Sequence, residues 1–149
     1  MNRKIGILLS SICFILGLAG CSSSTSKAYT FSVETGDSIV LSLDTSDDYD
    51  ITSELPFTIT NQDDEESQGT FITADQYQQY ADALKTDPDA VILDTGEKDG
   101  NEYIFWSYDN AEYNYAILIK DSNTGVLLGN LVSEEMANAC FQRLVISKD

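Results

Sequence analysis

The chain has no histidine. That absence removes the Ser-His-Asp triad, the Cys-His dyad and nearly all zinc sites. Positive charge is scarce as well. Eight lysines and arginines stand against 25 aspartates and glutamates, for a formal net charge of −17. Such a surface repels a phosphate backbone, so no nucleic-acid partner is expected. The sequence also lacks a Gly-rich phosphate loop and any internal repeat. Cysteines number three, Cys13, Cys21 and Cys140.

What is present begins with a basic start, Arg3-Lys4, and an uncharged run from Ile5 to Ala19. This is the plan of a secretory signal peptide. It is short for a membrane span, which takes about 20 apolar residues. No basic stop-transfer cluster follows it. Residues 1–20 are therefore set apart from the fold. Residues 21–28, "CSSSTSKA", read as a Ser-rich flexible tether, and residues 29–149 as one domain able to bury its own core.

The residues at the junction carry a resemblance. Leu18-Ala19-Gly20-Cys21 resembles the lipobox of bacterial lipoproteins. That resemblance implies cleavage before Cys21 and acylation of its thiol, and hence a membrane partner reached through lipid on Cys21. The expected address is the extracytoplasmic face of the cell membrane. More than one chain is needed, since a single acyl chain binds membranes only marginally. Without Arg3 and Lys4, 6 basic residues face 25 acidic ones, a side-chain balance of −19. Such a domain is repelled by anionic headgroups, so the lipid must hold it. With Cys13 removed and Cys21 acylated, Cys140 has no disulfide partner. Its spacing with Met136, Ala137 and Leu144 marks it as a buried small hydrophobe.

Periodicity outlines the domain. "YTFSVE" and "SIVLSLD" alternate around a Gly-containing turn and predict a hairpin. "DTSDDYDIT" reads as an acidic bend, "LPFTIT" as a short strand, and "NQDDEESQG" as an exposed loop. Thr73 with Gln76 forms a capping-box pattern. It opens a helix with Tyr77, Tyr80, Ala81 and Leu84 on its apolar stripe, and Pro88 closes that segment. Four strand-like runs follow, "AVILDT", "NEYIFWSY", "EYNYAILIK" and "GVLLGNLV". The short connections between them predict antiparallel neighbours. The middle two are apolar on both faces, so both faces need cover. A last helix starts after Ser133 and runs to about Leu144. The expected fold class is α+β: one antiparallel sheet of about six to seven strands with two helices packed on it. In element order the domain resembles PsbP-like domains. The likeness rests on the helix after "FITADQYQQY" and the closing "ACFQRLVIS", similar to that family's final helix. It implies an accessory or assembly role and carries over no site residues.

Several motifs bear on chemistry. Asp94-Thr95-Gly96 after "AVIL" resembles an aspartic-protease strand, and "VLLGN" at 126–130 the segment that supports it in retropepsins. A single copy would need a homodimer to pair two carboxylates. Glu97 stands where those enzymes carry a small residue, and a strand running into the turn "TGEKDG" explains the triplet as well. "STSK" at 24–27 matches S-x-x-K but lies in the tether, with no K-T-G elsewhere. Two acidic runs, Asp44/Asp47/Asp48/Asp50 and Asp63/Asp64/Glu65/Glu66, lack calcium-loop spacing and read as solvated loops. Trp106, Tyr108 and Tyr113 form a binding face for a peptide, glycan or small ligand if exposed, and sheet core if buried. No cofactor, metal site or catalytic residue is assigned. The expected role is non-enzymatic binding of, or assistance to, an envelope protein partner.

Overall fold

In the computed structural model, residues 25–130 and 133–149 are described. The signal segment and Cys21 lie outside them. Ten strands and two helices follow in the order β1 (Ser26–Ser32), β2 (Ser38–Asp44), β3 (Tyr49–Ile51), β4 (Phe57–Asn61), β5 (Asp64–Thr73), α1 (Ala74–Leu84), β6 (Ala90–Lys98), β7 (Asn101–Tyr108), β8 (Glu112–Leu118), β9 (Thr124–Asn130), α2 (Glu134–Arg143) and β10 (Leu144–Lys148). A single 3-10 turn, Ser46–Asp48, precedes β3.

The domain is α+β, with two antiparallel sheets rather than one. β1-β2-β10 form a three-stranded sheet, and β3-β4-β5-β9-β8-β7-β6 a seven-stranded one. The main sheet has the expected number of strands but a different membership. The N-terminal hairpin leaves it to pair with β10. The end of the closing "ACFQRLVIS", likened to the PsbP-like final helix, is instead part of strand β10, in which Leu144 and Ile146 alternate inward while Val145 and Ser147 face out. The tether is shorter than expected, since Ser26, Lys27 and Ala28 already pair with Asp44, Leu43 and Ser42.

The "NQDDEESQG" loop is the largest departure. Gln62 and Asp63 make the turn with positive φ, and the acidic residues after them run into β5. A bulge at Ile59/Thr60 shifts the register, so both Glu66 and Ser67 point inward. Gly69 lies under the ring of Phe57. A Cβ there would sit 2.0 Å from Phe57 Cζ, and the ring in turn is fully buried. Polar composition hid a strand whose burial is set by its partners.

The middle strands are covered on both faces, as their sequence requires. On one face α1 packs Tyr77 and Leu84 against Ile72, Ile104, Trp106 and Ala116. Its capping box is present: Gln76 N–H donates to Thr73 Oγ1, and Thr73 N–H to Gln76 Oε1. On the other face lie the small sheet and α2. There Ile39, Leu41 and Leu43 meet Phe57, Phe105, Ile117 and Leu128, with Cys140 and Phe141 from α2. Phe105, Tyr115 and Phe141 form a continuous ring stack, with centroids 4.2 Å and 4.1 Å apart. The stack fixes α2 against β7 and β8.

Two polar brackets join the sheets. Asn101, buried, donates from Nδ2 to Ile146 O (2.8 Å) and accepts Lys120 N–H at Oδ1 (2.9 Å). Lys98 Nζ donates to Leu144 O at 2.6 Å. The free edge of β10 is thereby closed by side chains of the β6–β7 corner. At the other end Asp37 accepts from Thr124 Oγ1 and Asn123 N–H, both at 2.8 Å, and pairs with Lys148 at 3.0 Å.

Candidate functional site

The aromatic set does not make a shared face. Trp106 is buried beneath α1, with the Tyr80 ring 6.1 Å away. Tyr108 is half-buried on that same side, and its hydroxyl donates to Asp87 at 3.2 Å. Tyr113 is buried on the opposite face, its hydroxyl donating to Asn110 O. Strand alternation separates them: Tyr113 pairs with Ser107, one residue out of phase with Trp106 and Tyr108. Trp106 and Tyr113 are therefore buried on opposite faces, and Tyr108 lies at the margin of the core.

Asp94 lies exposed on β6, the last strand of the main sheet. Its Oδ2 accepts the Tyr103 hydroxyl at 2.8 Å and its Oδ1 the N–H of Thr95 at 2.9 Å. That bond pushes the Tyr103 hydroxyl above its ordinary range. The "DTG" triplet runs through an extended strand. The turn comes later, at Asp99-Gly100, where both residues have positive φ. Among the described residues the partners of Asp94 are hydrogen-bond donors, with no second carboxylate hydrogen-bonded to it.

The first acidic run is held by cations. Arg143 pairs with Asp44 (3.7 Å) and Asp47 (2.6 Å) and lies 4.1 Å over the Tyr49 ring. Lys27 pairs with Asp50 at 2.8 Å. Among the described residues no group of three or more Asp, Glu, Cys or His side chains could hold a metal ion, and no helix is long and apolar enough to cross a membrane.

The second run contains what composition missed. Glu66 is buried. The Cys140 thiol, fully buried, lies 3.8 Å from Oε2. Burial raises the Glu66 carboxyl above its ordinary value and pushes the Cys140 thiol up to about 11. A thiol held protonated and out of solvent is a weak nucleophile. Cys140 thus packs as its helical spacing predicts, while Glu66 is a buried carboxyl with the Cys140 thiol turned toward it. The local signal was the alternation of Ser67, Gly69 and Phe71 inward against Gln68 and Thr70 outward, and by that parity alone Glu66 would face solvent.

Between the turn after β1 and the C-terminal end of β5 lies a cleft of about 260 Å³. Val33, Leu55, Phe71 and Ile72 supply its apolar wall, with Thr35, Thr70 and Thr124 beside them. None of these residues was singled out by sequence reasoning, because strands distant in the chain bring them together. A second cleft of similar size lies over Glu66 and Ser67, bordered by Gln68, Glu112 and Asn114.

No protein-family model matches this chain, and a search of the curated proteins finds no match to it either.

Proposed function

We propose that this chain is a lipid-anchored domain on the extracytoplasmic face of a bacterial membrane, where it binds or assists another envelope component without catalysis of its own. The observation that carries the reading is the abutment of signal and fold. Strand β1 starts at Ser26, the fifth residue after the lipobox Cys21. Even fully extended, five residues reach only about 17 Å. Acyl chains on Cys21 would keep the domain against the membrane despite its acidic surface. The partnering of the chain's chemistry-bearing groups points the same way: Asp94, Asp44 and Asp47 are each held by donors within the fold, and Glu66 is buried against the Cys140 thiol. The PsbP-like likeness belongs to this reading, supported by an antiparallel sheet with a helix on each face and weakened by the strand at 144–148. A small-ligand reading has one observation in its favour, the cleft beside Phe71.

Cys21→Ser tests the anchor. The variant should leave the membrane fraction as an uncleaved or secreted form and lose incorporation of labelled fatty acid. Unchanged labelling would overturn the assignment.

A further inference from the structure

We propose that the outer edge of β6 takes an extended segment of a partner protein as an added strand, one with an apolar residue beside Ile92 and a lysine or arginine beside Glu97. The inference rests on the envelope-binding reading above and names the surface and the partner's chemistry.

Among the described residues β6 ends the seven-stranded sheet and pairs only with β7. A register shift between Ile92 and Asp94 leaves Leu93 without a cross-strand pair, so the regular stretch of the edge runs from Asp94 to Lys98. The two-residue turn at Asp99-Gly100 closes on the Lys98–Asn101 pair. By the alternation of an antiparallel ladder, Thr95 and Glu97 then turn their N–H and C=O groups away from β7. The bond from Thr95 N–H to Asp94 Oδ1 agrees with that direction, and an incoming carbonyl would replace the carboxylate there. Unpaired edges of this kind are templates for strand addition.

The side chains give the edge polarity. At its start Val91 and Ile92 are 53% and 44% exposed, among the most exposed large apolar residues described. They point to opposite faces of the strand. Ile92 pairs with Trp106, over which Tyr80 places a partly exposed ring. At its end Glu97 stands directly opposite Glu102, and both are exposed. Like charges facing one another across strands are unfavourable, and no salt bridge among the described residues reaches either one. A cation on an added strand would relieve the pair. A second copy of this chain carries the same strong negative charge, so the edge suits a basic partner and disfavours self-pairing.

The test uses the full-length chain in detergent and a synthetic peptide of about eight residues, alternating threonine with valine in one half and lysine in the other. Amide hydrogen exchange is followed with the peptide, with its twin methylated on alternate backbone nitrogens, and with a twin carrying glutamate for lysine. At ten times its Kd the lysine peptide should slow exchange within residues 90–98 about tenfold. Neither twin should. Glu97→Lys should raise the thermal midpoint, because it removes a like-charge pair, yet weaken the lysine peptide about fivefold at low salt. Loss of folding cannot mimic that combination. The proposal is overturned by equal protection from the methylated twin, by protection mapping elsewhere, by unchanged affinity in Glu97→Lys, or by dimerisation through β6. Membrane fractionation of Cys21→Ser is read separately, so failure of the edge leaves the anchor standing and failure of the anchor leaves the edge.

Discussion

Replacing Asn101 with alanine should weaken the whole domain, although Asn101 is a polar residue at the end of a hairpin. Its carboxamide is used from both ends. Nδ2 donates to the buried Ile146 carbonyl, and Oδ1 accepts the N–H of Lys120. Alanine leaves both backbone groups without a partner. An orphaned buried group costs about 1–3 kcal/mol. The Ile146 carbonyl belongs at the upper part of that range, since its bond is buried, and the partly buried Lys120 N–H at the lower part. The sum is about 2–4 kcal/mol. With a urea m-value of roughly 1.5–2 kcal/mol/M for a chain of this size, the unfolding midpoint should fall by roughly 1–2.7 M. Asn101→Asp is the informative companion. It keeps an oxygen for Lys120 N–H but sets a carboxylate against the Ile146 carbonyl, so it should be at least as damaging as alanine. The assay is equilibrium urea unfolding followed by Trp106 fluorescence. A midpoint shift below about 0.3 M for Asn101→Ala with an unchanged slope, or a milder effect from aspartate, would refute the bracket's role in holding β10 to the main sheet.

Two further outcomes follow from the same structure. Phe141→Ala removes the α2 end of the Phe105–Tyr115–Phe141 stack and should cost about 3–5 kcal/mol; near-ultraviolet circular dichroism should lose aromatic signal before the far-ultraviolet signal falls. Asp37 should steepen the acid limb of stability. Hydrogen bonds from Thr124, then Lys148 and the Asn123 N–H, lower its carboxyl from 3.8 to about 2. A carboxyl depressed in the folded state stabilises above its unfolded value, and that contribution is lost as pH falls from about 4 toward 2. Asp37→Asn should flatten unfolding midpoints in that window while leaving their pH slope near neutrality unchanged, and an identical acid limb in the variant would count against it.

How much of this was legible in the chain depends on the range of the interactions. The capping box at Thr73 and Gln76, the four antiparallel runs from Ala90 onward and the double cover over Phe105 and Ala116 are local patterns, and they could be read without partners. β5 could not. Its acidic first half has loop composition, and only the bulge opposite Ile59 and Thr60 turns Glu66 and Ser67 inward. The cleft beside Phe71 and the open edge at β6 depend on which strands end up as neighbours, which no window of sequence contains.

By itself the sequence determined the acidic balance and the α+β class, and it carries the likeness of Leu18-Ala19-Gly20-Cys21 to a lipobox. The first follows from composition and the second from periodicity over a few residues. Only the tertiary structure decided that the N-terminal hairpin leaves the main sheet for β10, that Trp106 and Tyr113 are core on opposite faces, and that Asp94 lies along an open strand edge. The reason is that side-chain alternation tells which face a residue takes, while burial is set by whatever packs on that face, and those neighbours lie far off in the chain, as Tyr80 does over Trp106 and Ile146 beside Asn101.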